Sequence, residues 1–420
     1  PINFGDLFSH PAVGCDFIFG WPGQSLVLGA LNMSELLPAD YKDATLIGRI
    51  FRPEVMGPSV ITISNSRVID ITTSAAPTLR DICEKTNPVA YVKDVAAEGL
   101  DVGSIDEIFD NSMENSRDET RPWFLTPPDL QALKACGVTF VVSLLERVIE
   151  EQARGAPEKA AAIRADLDQL IGEDLSELKP GSKEAENVKK SLISRGVWSQ
   201  YLEVGIGPYA EVFTKAQPMS AVGTGAHVGI LPDSTWNNPE PEIAIVVASS
   251  GKSVGATLGN DVNLRDMEGR SALLLGKAKD NNASCALGPF VRLFDDSYTM
   301  EDVRIAEITL TVKGLDGFVL NGSSSISQIS RDPEELIATT IGPNHQYPDG
   351  FLLMLGTMFA PTQDRDVTGE GFTHKVGDVV TISNDQLGSM VNTVHHCSEC
   401  FPWTYGTLDL MRNLAARGFL

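Results

Sequence analysis

The apolar run Ile243–Ala248 is headed by two carboxylates two residues apart, in the string Asn237-Asn238-Pro239-Glu240-Pro241-Glu242. A short apolar run of this kind reads as a strand, and in a strand residues i and i+2 face the same side. Glu240 and Glu242 then point into one place, with burial beginning directly behind them. Like charges that close repel unless a cation sits between them or one carries a proton. A third carboxylate, Asp261, follows in Gly259-Asn260-Asp261-Val262-Asn263-Leu264-Arg265-Asp266. Charges flanking strand ends are common. This trio differs because Arg265, Lys277 and Lys279 follow within forty residues in a glycine-punctuated segment. Three carboxylates without a nearby histidine or cysteine make a hard oxygen site, suited to Mg²⁺, or to Mn²⁺ in its place, rather than to zinc.

The chain of 420 residues is 42% hydrophobic, ample for a core and too long for one average domain. Its net charge of −23 excludes nucleic acid as a partner, because phosphate contacts need clustered Lys and Arg, and it repels anionic membranes. A small anionic substrate is compatible, since a local metal and a few basic residues outweigh the global field. Cysteines at 15, 83, 136, 285, 397 and 400 are too scattered for a disulfide scaffold and fit a reducing compartment. With no apolar run of membrane-spanning length and no signal-peptide pattern, the expected location is the cytoplasm.

Residues 1–122 mix strand-like runs (Thr45–Arg52, Val60–Ile63, Val68–Thr73) with a helix near Thr78–Cys83 and read as a smaller N-terminal α/β domain. The polar stretch Ser112–Arg121 is the expected linker, leaving 123–420 as the catalytic domain. Pro127-Pro128-Asp129-Leu130 reads as a helix start, with Gly137 closing it. The Glu-, Lys- and Ala-rich segment from about 150 to 198 reads as a helical insertion, with amphipathic helices across Ala156–Leu178 and another from Ser182. Beyond residue 204 short strands and turns take over, clearest at Ile243–Ala248, Ile305–Val312 and Val379–Ser383. The class is α+β.

Two motifs are set aside. Gly251-Lys252-Ser253 lacks the earlier glycine a phosphate-binding loop needs, because Val246 stands there. His395, His396, Cys397 and Cys400 offer soft ligands, but adjacent histidines point apart in most backbones, so this stretch reads as a surface or interface tail.

Taken in order, Phe213-Thr214-Lys215, Glu240-Pro241-Glu242, Asn260-Asp261 through Arg265-Asp266, Ala278-Lys279-Asp280 with Leu287-Gly288-Pro289, Asp349-Gly350 with Gly356-Thr357, and Val376-Gly377-Asp378-Val379-Val380 resemble the fumarylacetoacetate hydrolase superfamily over about residues 130–400. The resemblance implies a mixed β-roll catalytic domain, dimeric or tetrameric. It implies a divalent ion on Glu240, Glu242 and Asp261 that chelates a 2-keto acid or 1,3-dicarbonyl compound. Lys279 becomes a catalytic cation or base and Thr357 a holder of the substrate carboxylate. Ser143, Lys215, Arg265 and Lys277 are further candidates for substrate contact. For Arg265 a structural salt bridge to Asp266 is the favoured alternative.

Hydrolases of this superfamily often carry Asn-Tyr-x-x-His-x-x-Glu, whose His and Glu activate a water. The corresponding stretch here is Thr139–Glu146, with Ser143 in the histidine's place. A hydroxyl is too poor a base for that role near neutral pH. The pattern is similar to the 2-keto-3-deoxy-pentonate (D-xylonate or L-arabinonate) dehydratase branch. That likeness implies Mg²⁺-dependent dehydration to 2-oxoglutarate semialdehyde, with Glu146 and Lys279 as the acid–base pair. The alternatives are a hydrolase of acylpyruvate or diketo acids, with His227 or His345 replacing the missing histidine, and a non-enzymatic binding protein.

Overall fold

The computed structural model describes residues 33–164, 178–196, 198–359 and 361–420. The strands that position the site are β1 (Leu46–Arg52), β2 (Ala132–Gly137), β3 (Glu211–Ala216), β4 (Pro241–Val247), β5 (Ser253–Asp261), β6 (Cys285–Leu293) and β7 (Phe351–Met354). They lie in the order β1-β6-β5-β4-β7-β2-β3 within an 11-stranded sheet, antiparallel except where β7 runs parallel to β2. Beyond β1 the sheet continues through Gly57–Ser64, Arg67–Asp70 and Leu100–Ser104. A second, five-stranded sheet runs in the order Val319–Ser325, Glu307–Lys313, Val379–Asn384, Gly388–His396, His227–Ile230. The architecture is the mixed α+β one expected. Strands from both sides of residue 122 share the larger sheet, and residues 31–420 cluster as one unit. No helix of the described residues is long and apolar enough to cross a membrane.

The unbroken apolar texture of β4 follows from cover on both faces. Ile243, Ile245 and Val247 pack toward Leu310, Ile382 and Met390 of the second sheet. Ala244 and Val246 point the other way, into a core with Ile47, Leu79, Ile82 and Val92. Leu79 and Ile82 come from a helix at Leu79–Cys83, whose N-cap Thr78 forms a capping box with Asp81. A third core joins the helices α1 (Val141–Ala153), α2 (Lys183–Ser194) and α3 (Gln200–Ile206) through Leu144, Val148, Leu192 and Leu202.

The Pro127–Gly137 segment is not a helix. Its second half is the strand β2, paired with both β7 and β3. The helix-start signal is spent elsewhere: Asp129 accepts the backbone N–H groups of Leu79 (2.7 Å) and Arg80 (3.2 Å), capping a distant helix instead of its own segment. Leu133 and Ala135 alternate into the second core, a strand period. Of the expected insertion helices, Lys183–Ser194 is present with Ser182 as N-cap, while residues 165–177 lie outside the described set.

Immediately after β7 the chain passes Gly356 at φ +105°, where a Cβ would collide with the side chain of Thr139. Thr139 is fixed in turn by donating to the Leu355 carbonyl at 2.6 Å. We expect Gly356→Ala to destabilise the fold by about 1–3 kcal/mol, read as a lower urea midpoint at an unchanged denaturant slope.

Candidate active site

Register across β4 and β5 brings the three carboxylates together. Pro241 pairs with Asn260 and Glu242 with Gly259. The Asp261 N–H donates to the Glu240 carbonyl, and the Asn260 side chain accepts the Glu240 N–H, both at 3.0 Å. One oxygen from each of Glu240, Glu242 and Asp261 lies within 4.8 Å of the others, and all three residues are buried. The clustering expected from their spacing is therefore present.

Cations from three other elements surround them. Lys279, at the end of the short helix α5 (Leu275–Lys279, following α4 at Arg265–Glu268), donates to Glu240 Oε2 at 2.7 Å and Asp261 Oδ2 at 3.1 Å. Lys215 on β3 is wholly buried. Its ammonium pairs with Asp261 Oδ1 at 2.7 Å and donates to the carbonyls of Val262 and Lys279. Arg147 on α1 touches Glu240, Glu150 (2.7 Å) and Glu268 (3.3 Å).

None of the described ion pairs reaches Glu242. It accepts the Gly356 N–H at 2.8 Å, with the Thr357 hydroxyl at 3.5 Å. Burial, and then the charge of Asp261, push its carboxyl up to about 8. Burial also acts to raise Asp261, but Lys215 and Lys279 outweigh it and hold that carboxyl below its usual range. A buried carboxylate that faces two others and has no described ion pair of its own fits a site built for a divalent ion, which would supply the missing charge.

A small cavity lies over this centre. Besides Glu240, Asp261, Lys279 and Thr357 it is lined by Arg147, Glu211, Phe213 and Glu268. Glu211 is the carboxylate the sequence reading missed. Burial, followed by the charge of Glu268, pushes it up to about 7. Its one available signal was strand parity, since Glu211, Phe213 and Lys215 share a face of β3. Arg147 and Glu268 gave no signal beyond lying beside residues already singled out.

The other candidates fall differently. Glu146 is not among the cavity-lining residues and binds Arg164 through contacts of 2.9–3.1 Å. Ser143 is placed on α1, its side chain outside the described set. Lys277 is exposed and does not line the cavity. Arg265 is buried but forms no salt bridge to Asp266. It contacts Asn238 (2.8 Å), Glu150 (3.2 Å) and the Pro361 carbonyl (3.2 Å), whereas Asp266 accepts from Ser234 and the Thr235 N–H. Nor do the two histidines available to a hydrolase line the cavity. His227 stacks on His395 and pairs with Glu114, and His345 packs edge-on against Tyr347. Among the described residues the His395–Cys400 tail forms no metal-ligand cluster.

The family described as fumarylacetoacetate (FAA) hydrolase C-terminal matches residues 199–395, the stretch that supplies all three carboxylates and both lysines. That match covers just under half of the chain, and over it the chain is similar to the fumarylacetoacetate hydrolase superfamily. It is similar to the 2-dehydro-3-deoxy-D-arabinonate dehydratase of Saccharolobus solfataricus, 33% identical over 50% of this chain and 65% of that protein. It is also similar to the probable 2-keto-3-deoxyxylonate dehydratase of Haloferax volcanii, 32% identical over 46% and 63%. The chain thus spans just under two thirds of each curated relative. Among solved structures, a 2-keto-3-deoxy-D-arabinonate dehydratase in its apo form shares the fold with a TM-score of 0.57 at 22% identity, covering 84% of this chain and 99% of that one. The form complexed with magnesium and 2,5-dioxopentanoate gives the same values.

The raised Glu242 carboxyl sets a pH dependence. The folded protein holds this proton more tightly than the unfolded chain, so the stability linked to it is complete below the ordinary glutamate value and is lost as pH rises toward about 8. We expect the melting temperature of chelator-treated protein to fall between pH 5 and 8, and Glu242→Gln to flatten that slope. A wild-type slope identical to the variant's refutes the assignment.

Proposed function

We propose that this protein is a Mg²⁺-dependent hydro-lyase that converts a 2-keto-3-deoxy-pentonate, of the D-xylonate or L-arabinonate type, into 2-oxoglutarate semialdehyde. The observation that carries this reading is the buried carboxylate trio, of which two members, Glu240 and Asp261, are bridged by Lys279 and line one cavity with Glu211, a glutamate whose carboxyl is pushed up to about 7. Likeness to two curated sugar-acid dehydratases supports it, as does the magnesium and 2,5-dioxopentanoate in a structure of the same fold.

Glu240, Glu242 and Asp261 would hold the ion, whose chemistry when bound is to polarise the 2-keto group and acidify C3. Lys279 and Glu211 are the proton carriers that line the cavity. A proton leaves C3 to one of them. The C4–O bond breaks, and the other supplies the proton with which hydroxide departs as water. The C3–C4 double bond then migrates: C5 loses a proton, C3 regains one, and the resulting C4–C5 enol takes a proton on C4 and gives up its hydroxyl proton, leaving the aldehyde. Glu211 replaces Glu146 in this pair because only Glu211 lines the cavity. Phe213, over whose ring the Lys279 ammonium lies at 5.5 Å, keeps that end of the cavity apolar. Dehydration is favoured over diketo-acid hydrolysis because no histidine among the described residues lines the cavity to activate a water.

The reading includes a homodimeric or homotetrameric assembly and a cytoplasmic location without nucleic-acid partners. The five unpaired cysteines of the described residues fit a reducing compartment.

Purified protein with Mg²⁺ and each 2-keto-3-deoxy-pentonate should release semialdehyde, measured as NAD⁺ reduction by an added aldehyde dehydrogenase. Pyruvate release without semialdehyde refutes the dehydratase reading. Glu211→Gln should lower kcat by roughly 10²–10⁴-fold, the usual scale of a lost general acid or base, with calorimetric Mg²⁺ affinity little changed.

A further inference from the structure

Among the described residues lining the cavity, two carry positive side chains, Arg147 and Lys279. The proton transfers above employ Lys279. They leave Arg147 without a task, although its guanidinium is buried against the metal-site carboxylate Glu240.

The two arms of the fork are held unequally. Nη1 is anchored twice, to Glu150 Oε2 at 2.7 Å and Glu268 Oε2 at 3.3 Å. Glu150 is steadied by Arg265, whose Nε lies 3.2 Å from its other oxygen. Nη2 has one described partner, Glu240 Oε1. A divalent cation on Glu240 competes with that contact directly and repels the guanidinium, while Glu150 and Glu268 keep the Nη1 arm in place. Released from Glu240, Nη2 would be free to turn into the cavity that Arg147 lines. A guanidinium can do this because its donors form a rigid planar fork, so one arm stays anchored while the other changes partner. An ammonium is a single point charge and cannot divide itself in that way.

We propose that Arg147 is a substrate-positioning residue that exchanges partners, giving up Glu240 when a divalent ion enters and binding an oxygen of the anionic 2-oxo acid with the arm so freed. The substrate half of this inference rests on the function proposed above. The ion half stands on the contacts of Arg147 alone.

The two halves predict changes of opposite sign in one variant. Arg147→Met removes the competitor for Glu240, so Mg²⁺ titrated by calorimetry without substrate binds roughly tenfold more tightly, the scale of one charge-assisted hydrogen bond. The same variant, saturated with Mg²⁺, binds pyruvate, a non-reacting 2-oxo acid, roughly tenfold more weakly. A structural role would weaken both, and loss of a bystander charge would not weaken pyruvate by that factor. Unchanged or weaker Mg²⁺ binding in folded Arg147→Met, or unchanged pyruvate binding, overturns the proposal. Should circular dichroism show Arg147→Met unfolded, Arg147→Lys decides. It keeps the charge, so Mg²⁺ affinity stays near wild type while pyruvate binding weakens, and full pyruvate affinity overturns the proposal. Neither titration requires turnover. A protein that passes both and releases no semialdehyde refutes the dehydratase reading alone, and one that releases semialdehyde but fails the titrations refutes the role of Arg147 alone.

Discussion

Repulsion among Glu240, Glu242 and Asp261 is the constraint around which the centre is built. Three carboxylates facing one another away from water are untenable unless positive charge is brought to them or a proton is retained. Both remedies are present. Lys215 and Lys279 converge on Asp261, Lys279 and Arg147 converge on Glu240, and Glu242 resists ionisation. Each cation arrives on a different element, β3, α5 or α1, so the centre is complete only when sheet and helices have closed on it. Removing one partner from such a cluster leaves a buried charge uncompensated, which costs far more than the pair contributes over an apolar replacement.

The same electrostatics gives the cavity its chemical range. Burial raises Glu211 first, and it then feels Glu268 more than either Lys279 or Arg147, so its carboxyl is pushed up to about 7. Asp261, flanked by two ammonium groups, stays ionised. Carboxylates on adjoining strands and helices thereby differ in how readily they ionise, through burial and through their neighbours. The conformation of Gly356 belongs to this arrangement, because the N–H it offers Glu242 comes with a positive φ and a closeness to Thr139 that exclude a side chain.

The parts of the site that could be read from the sequence are those governed by strand period. Glu240 immediately precedes β4 and Glu242 lies within it, i and i+2 across its start, and Asp261 ends the neighbouring strand that a tight turn returns. Helical periods were read less well. Lys277 and Lys279 lie about 200° apart around α5, so one is exposed and the other buried. Arg265 and Asp266 are adjacent on α4 and cannot face each other, which is why the expected salt bridge is absent and each finds a partner elsewhere. Glu146 and Arg147 are also neighbours about 100° apart on α1. It is Arg147 that lines the cavity, while Glu146 turns to Arg164.

By itself, the sequence determined that Glu240 and Glu242 share one face at the start of a buried strand, because a two-residue repeat needs no knowledge of what lies across from it. Tertiary structure alone decided which charges stand against the carboxylate trio and which carboxylate is free to carry a proton. Those depend on distances between elements far apart in the chain, and on how much water the closed sheets exclude, neither of which a local pattern encodes.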